Sequence, residues 1–418
     1  ATATLALQAQ EALTAGYALD ADRLDGRHGS EYQLLIDQLC PVGQSVRGVL
    51  SDTLVCVDNE PLDSSWVPTG TLISDLTGPG GYLNVTMGAD GLPLVAYQSS
   101  VRDLMVVHCE DLDCTVKTIT NLDSVGEVGS YASIIVGTDG LPLISYFDYT
   151  NTNLKIAHCQ NLACTAATLS TLDNAGNVGW ETSITLGSDG LPFISYYDMG
   201  NSALKVVHCL DSGCASTVIS TLDSVGDVGE FSSLALGVDG LPVIAYGDDT
   251  QNWVKVAHCQ SRDCAVATFA VVDTAGNSNG ASLAIGTDGL PIIAYYDVVN
   301  SMTKVAHCRD VACATSTITV LDNFGLAGWY LSLMIGADGL PFVAYYNQDQ
   351  GAVMVAHCQD VTCAGATSGV LYVVSSSDYV AVTQGSDGFP FIVFTDATSM
   401  ISAAHCSNVF CAPYFRRR

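Results

Sequence analysis

Seven His-Cys dipeptides, each continued as His-Cys-x4-Cys, carry the most conspicuous chemistry in this chain. They give the cysteine pairs Cys109/Cys114, Cys159/Cys164, Cys209/Cys214, Cys259/Cys264, Cys308/Cys313, Cys358/Cys363 and Cys406/Cys411. Histidine beside thiol suggests metal binding, but adjacent residues of a strand project to opposite faces, so a His-Cys dipeptide does not easily share one metal. A cysteine pair at the mouth of a hairpin suits a local disulfide instead, worth ~2 kcal/mol for so short a loop. Cys40 and Cys56 remain and are expected to form an eighth bridge. The histidines, His108, His158, His208, His258, His307, His357 and His405, fall on a third strand, ~15 Å from any central axis given the ~4.8 Å strand spacing. Around such a circle they stand too far apart to share a metal, and they read as scaffold residues packed between blades.

Those motifs belong to a repeat. Asp-Gly-Leu-Pro begins at Asp90, Asp139, Asp189, Asp239, Asp288 and Asp338, and Asp-Gly-Phe-Pro at Asp387, steps of 49 or 50 residues. Within one copy, Tyr131–Gly137, Leu141–Asp148, Leu154–Cys159 and Cys164–Leu172 are short apolar or Thr/Ala-rich stretches separated by turn signals. Four antiparallel strands repeated seven times predict an all-β, seven-bladed propeller with one disulfide per blade. After Cys411 too little chain remains for a last fourth strand, so a strand at 70–76 is expected to close the ring from the N-terminal side. The expected organisation is an arm at 1–30, a disulfide-closed hairpin at 31–65 and the propeller at 66–418.

The repeat also sorts the remaining candidates. Asp148, Asp198, Asp248, Asp297 and Asp396, with Asn347 at the matching place, and Asp123, Asp173, Asp223, Asp273 and Asp322 gather on one face. Calcium is conceivable there, but turn capping explains the aspartates without a metal, and no other cofactor is expected. Before each first strand the frame varies, and the aromatics Tyr82, Tyr131, Trp180, Phe231, Trp329, Tyr330 and Tyr379, with the acids Glu181, Glu230 and Asp378 beside them, should ring the channel mouth. Such a rim could stack on a sugar or peptide, or simply plug the channel. Arg102, Arg262 and Arg309 form no cluster of the sialidase kind, and no nucleophile elbow or carboxylate pair stands apart from the repeat. The expectation is therefore that the chain is not an enzyme. The sequon at Asn84 lies in an expected strand.

With 43 acidic against 14 basic residues and a net charge of −29, nucleic acid and anionic lipid are poor partners. No apolar run is long enough to span a membrane. Sixteen cysteines in register predict an extracellular or cell-surface setting, and Ala1 in place of Met fits a start left by removal of a secretion signal.

Ala21-Asp22-Arg23-Leu24-Asp25-Gly26, with His28 and Tyr32 behind it, resembles the Ala-Asp-Thr-Leu-Asp-Gly-x-His motif of phage tail fibres and bacterial surface-fibre proteins, with Arg23 in place of Thr. The Cys40-Pro-Val-Gly-Gln stretch is similar to a small module that often follows it. The repeats resemble those of uncharacterised bacterial secreted propellers. The resemblance implies a non-catalytic structural subunit that self-assembles head to tail. Leu5, Leu7, Leu13 and Tyr17 of the arm and the basic tail Arg416-Arg417-Arg418 are the assembly candidates. The alternatives are a secreted glycan- or peptide-binding propeller and a propeller hydrolase.

Overall fold

The computed structural model describes strands at 44–50, 53–58 and 71–72, and residues 80–411 apart from 275–279, 324–325, 375–376, 378 and 397–399. The chain divides into two compact units, 1–66 and 67–418. In the first, Gln44–Leu50 and Thr53–Asp58 pair as an antiparallel hairpin. The expected Cys40–Cys56 bridge, the arm residues Leu5, Leu7, Leu13 and Tyr17, and the tail Arg416–Arg418 lie outside the described residues.

The second unit is the seven-bladed propeller, each blade a four-stranded antiparallel sheet, in simple sequential order in blades 1 to 6. In blade 3, for example, Val178–Leu186 is innermost, followed by Pro192–Asp198, Ala203–Cys209 and Thr217–Asp223. The two middle strands are buried along their whole length, whereas the outermost alternates with solvent. That follows from the architecture, because a middle strand is covered on both faces by neighbouring blades. The hydrophobic core is accordingly seven separate cores, each shared by two blades. Ile156 and Leu172 of blade 2, for instance, pack with Ile184, Ile194 and Val207 of blade 3.

The ring closes as the truncated last repeat requires. Thr71–Leu72 pairs with Ile401–His405 as the fourth strand of blade 7, and Phe391, Val393 and Ile401 share a core with Leu83, Val85 and Val95 of blade 1. Only 71–72 of the expected closing strand 70–76 lies in a described strand.

All seven Cys-x4-Cys pairs are disulfides: Cys109–Cys114, Cys159–Cys164, Cys209–Cys214, Cys259–Cys264, Cys308–Cys313, Cys358–Cys363 and Cys406–Cys411, with Cα atoms 4.8–4.9 Å apart. The two cysteines of a pair are not alike. The first ends the third strand in blades 1 to 6. The second was expected to open the fourth strand, as in the stretch Cys164–Leu172, and that expectation is corrected. The fourth strand of blade 2 begins only at Ala167. Cys114, Cys214, Cys264, Cys313 and Cys363 likewise precede strands that begin at Lys117, Thr217, Ala267, Ser316 and Ala366. The reason is conformational. Cys114, Cys164, Cys214, Cys264, Cys313, Cys363 and Cys411 all adopt a left-handed φ of 49–55°, which is not extended backbone and which glycine or asparagine fills more readily. Each closes a turn, the Cys114 N–H donating to the Asp111 carbonyl and the Cys214 N–H to that of Asp211. The bridge holds a tight hairpin there that its sequence would otherwise disfavour. Seven disulfides suit an oxidising, extracellular environment.

The histidines do more than pack. His108 Nε2 meets Oδ2 of Asp90 at 2.8 Å, and Oδ1 of the same aspartate accepts the Leu92 N–H. The pairing recurs in blades 2 to 6, His158 with Asp139 and His357 with Asp338 among them. The histidines of blades 1 to 6 thus fix the Asp-Gly turns of their own blades, whereas His405 lies 3.1 Å from Asp387 but makes its hydrogen bond through Nδ1 to Asp113 of blade 1.

Candidate active site

The face opposite those turns carries the blade-to-blade links and the turns between second and third strands. Two networks shape it. In blades 2 to 5 the last aspartate of one blade accepts a tyrosine hydroxyl and a lysine ammonium from the next. Asp173 takes Tyr196 at 2.6 Å and Lys205 at 2.5 Å, and Asp198 lies 3.6 Å from the same ammonium. Burial opposes ionisation of Asp173, but Lys205 and Tyr196 outweigh it and hold the pKa below the usual carboxylate value. Asp123 and Asp223 behave alike. In these blades the ammonium lies between the two carboxylates. Asp148, Asp198, Asp248 and Asp297 also cap their turns, accepting the N–H three residues on.

The second network lines the central channel. Ser133 Oγ accepts the Ile184 N–H, Ser183 that of Leu234, Ser233 that of Leu283, Ser282 that of Leu333 and Ser332 that of Val382, at 2.9–3.3 Å. Asn84 does the same for Ile134, which places the sequon asparagine inside the channel. These side chains, with Thr182, Ser232, Tyr330 and Tyr379, wall a cavity of about 200 Å³.

At the mouth the inner strands of blades 1, 2, 3, 4 and 6 carry a bulge, which begins the strand earlier than its apolar run suggests. The blade 2 strand starts at Val128 rather than Tyr131, with register shifts on either side of Ser130. Tyr82, Tyr131, Glu181, Phe231 and Tyr330 all stand there at φ of 47–55°. A bulge with a left-handed residue re-aims the side chain, here around the channel.

The resulting rim has two unlike halves. From blade 6 through blades 7, 1 and 2 to the first rim residue of blade 3 the aromatic rings form one arc: Tyr330–Tyr379 at 4.6 Å between centroids, Tyr379–Tyr82 at 5.0 Å, Tyr82–Tyr131 at 4.3 Å and Tyr131–Trp180 at 5.4 Å. The Trp329 side chain lies outside the described residues. Burial, then the neighbouring Tyr82, raises the phenol pKa of Tyr131 and Tyr379.

Over blades 3 and 4 the rim is acidic. Glu181 occupies the repeat position of Tyr330 and Tyr379, and its carboxylate accepts the backbone N–H of Phe231. Burial pushes its pKa up to about 8 despite that hydrogen bond, with Glu230 and Asp249 adding their charge. Glu230 is hydrogen-bonded to Asp249, and burial together with that neighbour raises it to about 7. Asp249 Oδ1 is buried without a hydrogen-bond partner among the described residues. Tyr197 donates to Asp227 beside them at 2.5 Å. Of the expected rim residues, then, Tyr82, Tyr131, Trp180, Tyr330 and Tyr379 come together, while Phe231 stands with the acids. Glu181 and Glu230 stand at the rim as expected, but their pairing as acids was missed, because each stands within the repeat and not apart from it. The available signal was two glutamates on consecutive inner strands, in a chain whose turns use aspartate.

No protein-family model matches the chain, and no curated protein matches it. Solved structures do. A polysaccharide lyase described as an ulvan lyase superposes with a TM-score of 0.55 at 11% identity, over 80% of this chain and 95% of that one. A hydrazine synthase chain from Kuenenia stuttgartiensis gives 0.55 at 12%, over 82% and 99%. An α-L-arabinanase from Penicillium chrysogenum gives 0.46 at 11%, over 66% and 92%. At these identities the likeness is one of fold.

The expectation that the chain is not an enzyme is corrected here. A polysaccharide lyase shares the propeller fold, so the fold does not speak against catalysis, and two glutamates with raised pKa, Glu181 and Glu230, stand at the mouth. Nothing in the described residues supports the fibre subunit, whose proposed contacts all lie outside them.

Proposed function

We propose that the channel mouth is the active site of a hydrolase that cleaves a neutral glycan. The observation that carries this reading is the pair of glutamates on consecutive inner strands, Glu181 and Glu230, both with raised pKa and the second hydrogen-bonded to Asp249, on the same rim as an aromatic arc whose Tyr330 and Tyr379 line a hydroxyl-walled cavity. Glycoside hydrolysis needs one carboxyl that keeps its proton at neutral pH and a second that can take one. Glu181 is the general acid and protonates the glycosidic oxygen as its bond to the anomeric carbon breaks. The Glu230–Asp249 pair accepts the proton of the water that attacks that carbon. The tyrosine arc offers ring faces to the sugar, and the serine and threonine hydroxyls offer hydrogen bonds. Among the described residues no lysine or arginine lines the cavity, so a substrate carboxylate would find no counter-charge.

The test is the pH profile of reducing-sugar release from neutral polysaccharides. The rate should rise as the pair gives up its shared proton near pH about 7 and fall as Glu181 ionises near about 8. Glu181→Gln should lose roughly 10²–10⁴-fold on ordinary glycosides. On an aryl glycoside, whose leaving group needs no protonation, it should keep most of its rate and lose the alkaline limb. A wild-type profile flat across this range, or an unimpaired Glu181→Gln enzyme, would refute the assignment.

A further inference from the structure

The aromatic arc does not stop at the mouth. Beyond Tyr131 it continues through Trp180 to Tyr149, whose ring lies 6.2 Å from the indole on the turn between the second and third strands of blade 2. Trp180 is half-buried and fixed from two sides. Its Nε1 donates to Asn177 Oδ1 at 2.7 Å, and its ring packs at 4.9 Å on the wholly buried Phe147. Tyr149 is 51% exposed and Met199, on the matching turn of blade 3, 47%.

The repeat shows that the fold does not require this. The places equivalent to Tyr149 hold Ser100, Met199, Asp249, Val298 and Gln348. Trp329 is the only other tryptophan at the position of Trp180, and the blade before it offers Val298. An indole and an exposed phenol are paired across a blade boundary once, directly beside the acidic half of the rim.

We propose that Trp180 and Tyr149 form a platform on which a linear neutral polysaccharide lies as it leaves the mouth, so that the substrate is a polymer and not a small glycoside. The inference rests on the reading of the mouth as a glycan-hydrolysing site. Rigid aromatic rings bind the apolar faces of sugar rings at little cost in side-chain entropy. The graded positions, from Tyr131 through the anchored indole to the exposed phenol, extend one run of sugar contacts from the channel to the surface of blade 2.

The experiment measures binding by calorimetry and turnover by product release. Its probes are arabinan, xylan and mannan oligosaccharides of increasing length, and the matching aryl monoglycosides. The proteins are the full chain and its Tyr149→Ala and Trp180→Ala variants, with binding read in a Glu181→Gln background. Affinity should grow with chain length, and Tyr149→Ala should remove about tenfold of that gain. KM should rise on long chains with kcat unchanged, and monoglycoside turnover should not move. Tyr149 is exposed, so its variant should melt like wild type, and Trp180→Ala should show the same length-dependent loss. Length-dependent binding that Tyr149→Ala abolishes, without turnover of any probe, would keep the platform and discard the hydrolase. Turnover indifferent to chain length and to Tyr149 would keep the hydrolase and discard the platform. Absence of all binding would discard both.

Discussion

Lys205 is held between Asp173 and Asp198, and its ammonium lies 5.5 Å from the Tyr196 ring centroid. Two buried carboxylates and one ammonium leave the site with a net charge of −1. Blade 6 reaches the same charge differently. Met354 replaces the lysine, Asn347 replaces the second aspartate, and Asn347 Nδ2 and Tyr345 both donate to Asp322. Charge balance therefore governs this place, and the lysine and second aspartate should be exchangeable only together. Lys205→Met alone should cost about 3–5 kcal/mol, because it strands two buried carboxylates. Lys205→Met with Asp198→Asn, copying blade 6, should recover most of that loss, as measured by urea unfolding. The pH dependence has a definite sign. The folded-state pKa of Asp173 is lowered, so its contribution is present above the ordinary carboxylate range and lost as pH falls through the folded value. The gap between wild type and Lys205→Met should close in acid. A single variant no worse than the double would refute the argument.

At the scale of elements, the closing strand is the sharpest consequence of the repeat. Blade 7 supplies three strands of its own, and Thr71 and Leu72 pair with Ala403 and Ser402 to complete it. Removing residues 65–76 should expose the Ile401–His405 edge and open the seam in which Ile401 packs against blade 1. Hydrogen exchange should accelerate first in Ile401–His405, and the melting temperature should drop. Equal protection in the truncated and full chains would mean that blade 7 is closed otherwise. Blade count, disulfide pairing and closure were legible in the sequence because each depends on spacing, and a ring reads spacing directly. The active site was only half legible, since Glu181 and Glu230 stood out as rim residues but not as a catalytic pair. Glu181 sits where other blades place tyrosine, and Asp249 follows Asp248 like one more turn residue. The raised pKa of Glu181 comes from burial and from the charges of Glu230 and Asp249 on the adjacent blade, some 50 residues or more away in sequence. The histidine role was half legible. His108 and Asp90 were both marked, but only the third strand's register against the second, with His108 opposite Leu94, brings the imidazole to the turn aspartate.

On the scale of the whole molecule, charge sets which glycans can approach. The chain carries −29, and its cations do not relieve the mouth. Among the described residues of that face, Arg102 is paired with Glu127, and Lys155, Lys205, Lys255 and Lys304 are committed to aspartates. Arg262 and Arg309 belong to disulfide hairpins on the other face. A polyuronate approaching the acidic half of the rim meets unbalanced negative potential and no residue ready to pair with its carboxylates. A neutral polymer meets only ring faces and hydroxyls. The two should therefore respond differently to salt, since exposed charges are screened beyond a Debye length of about 10 Å at 0.1 M. Hydrolysis of a neutral polysaccharide should change little between low and high ionic strength. Polygalacturonate should bind poorly at low salt and less poorly as salt is added, opposite to an enzyme that captures its substrate with arginine. Faster cleavage of polygalacturonate at low salt would place a cationic subsite on this face and overturn the assignment to neutral glycans, while leaving the acid pair at Glu181 and Glu230 intact.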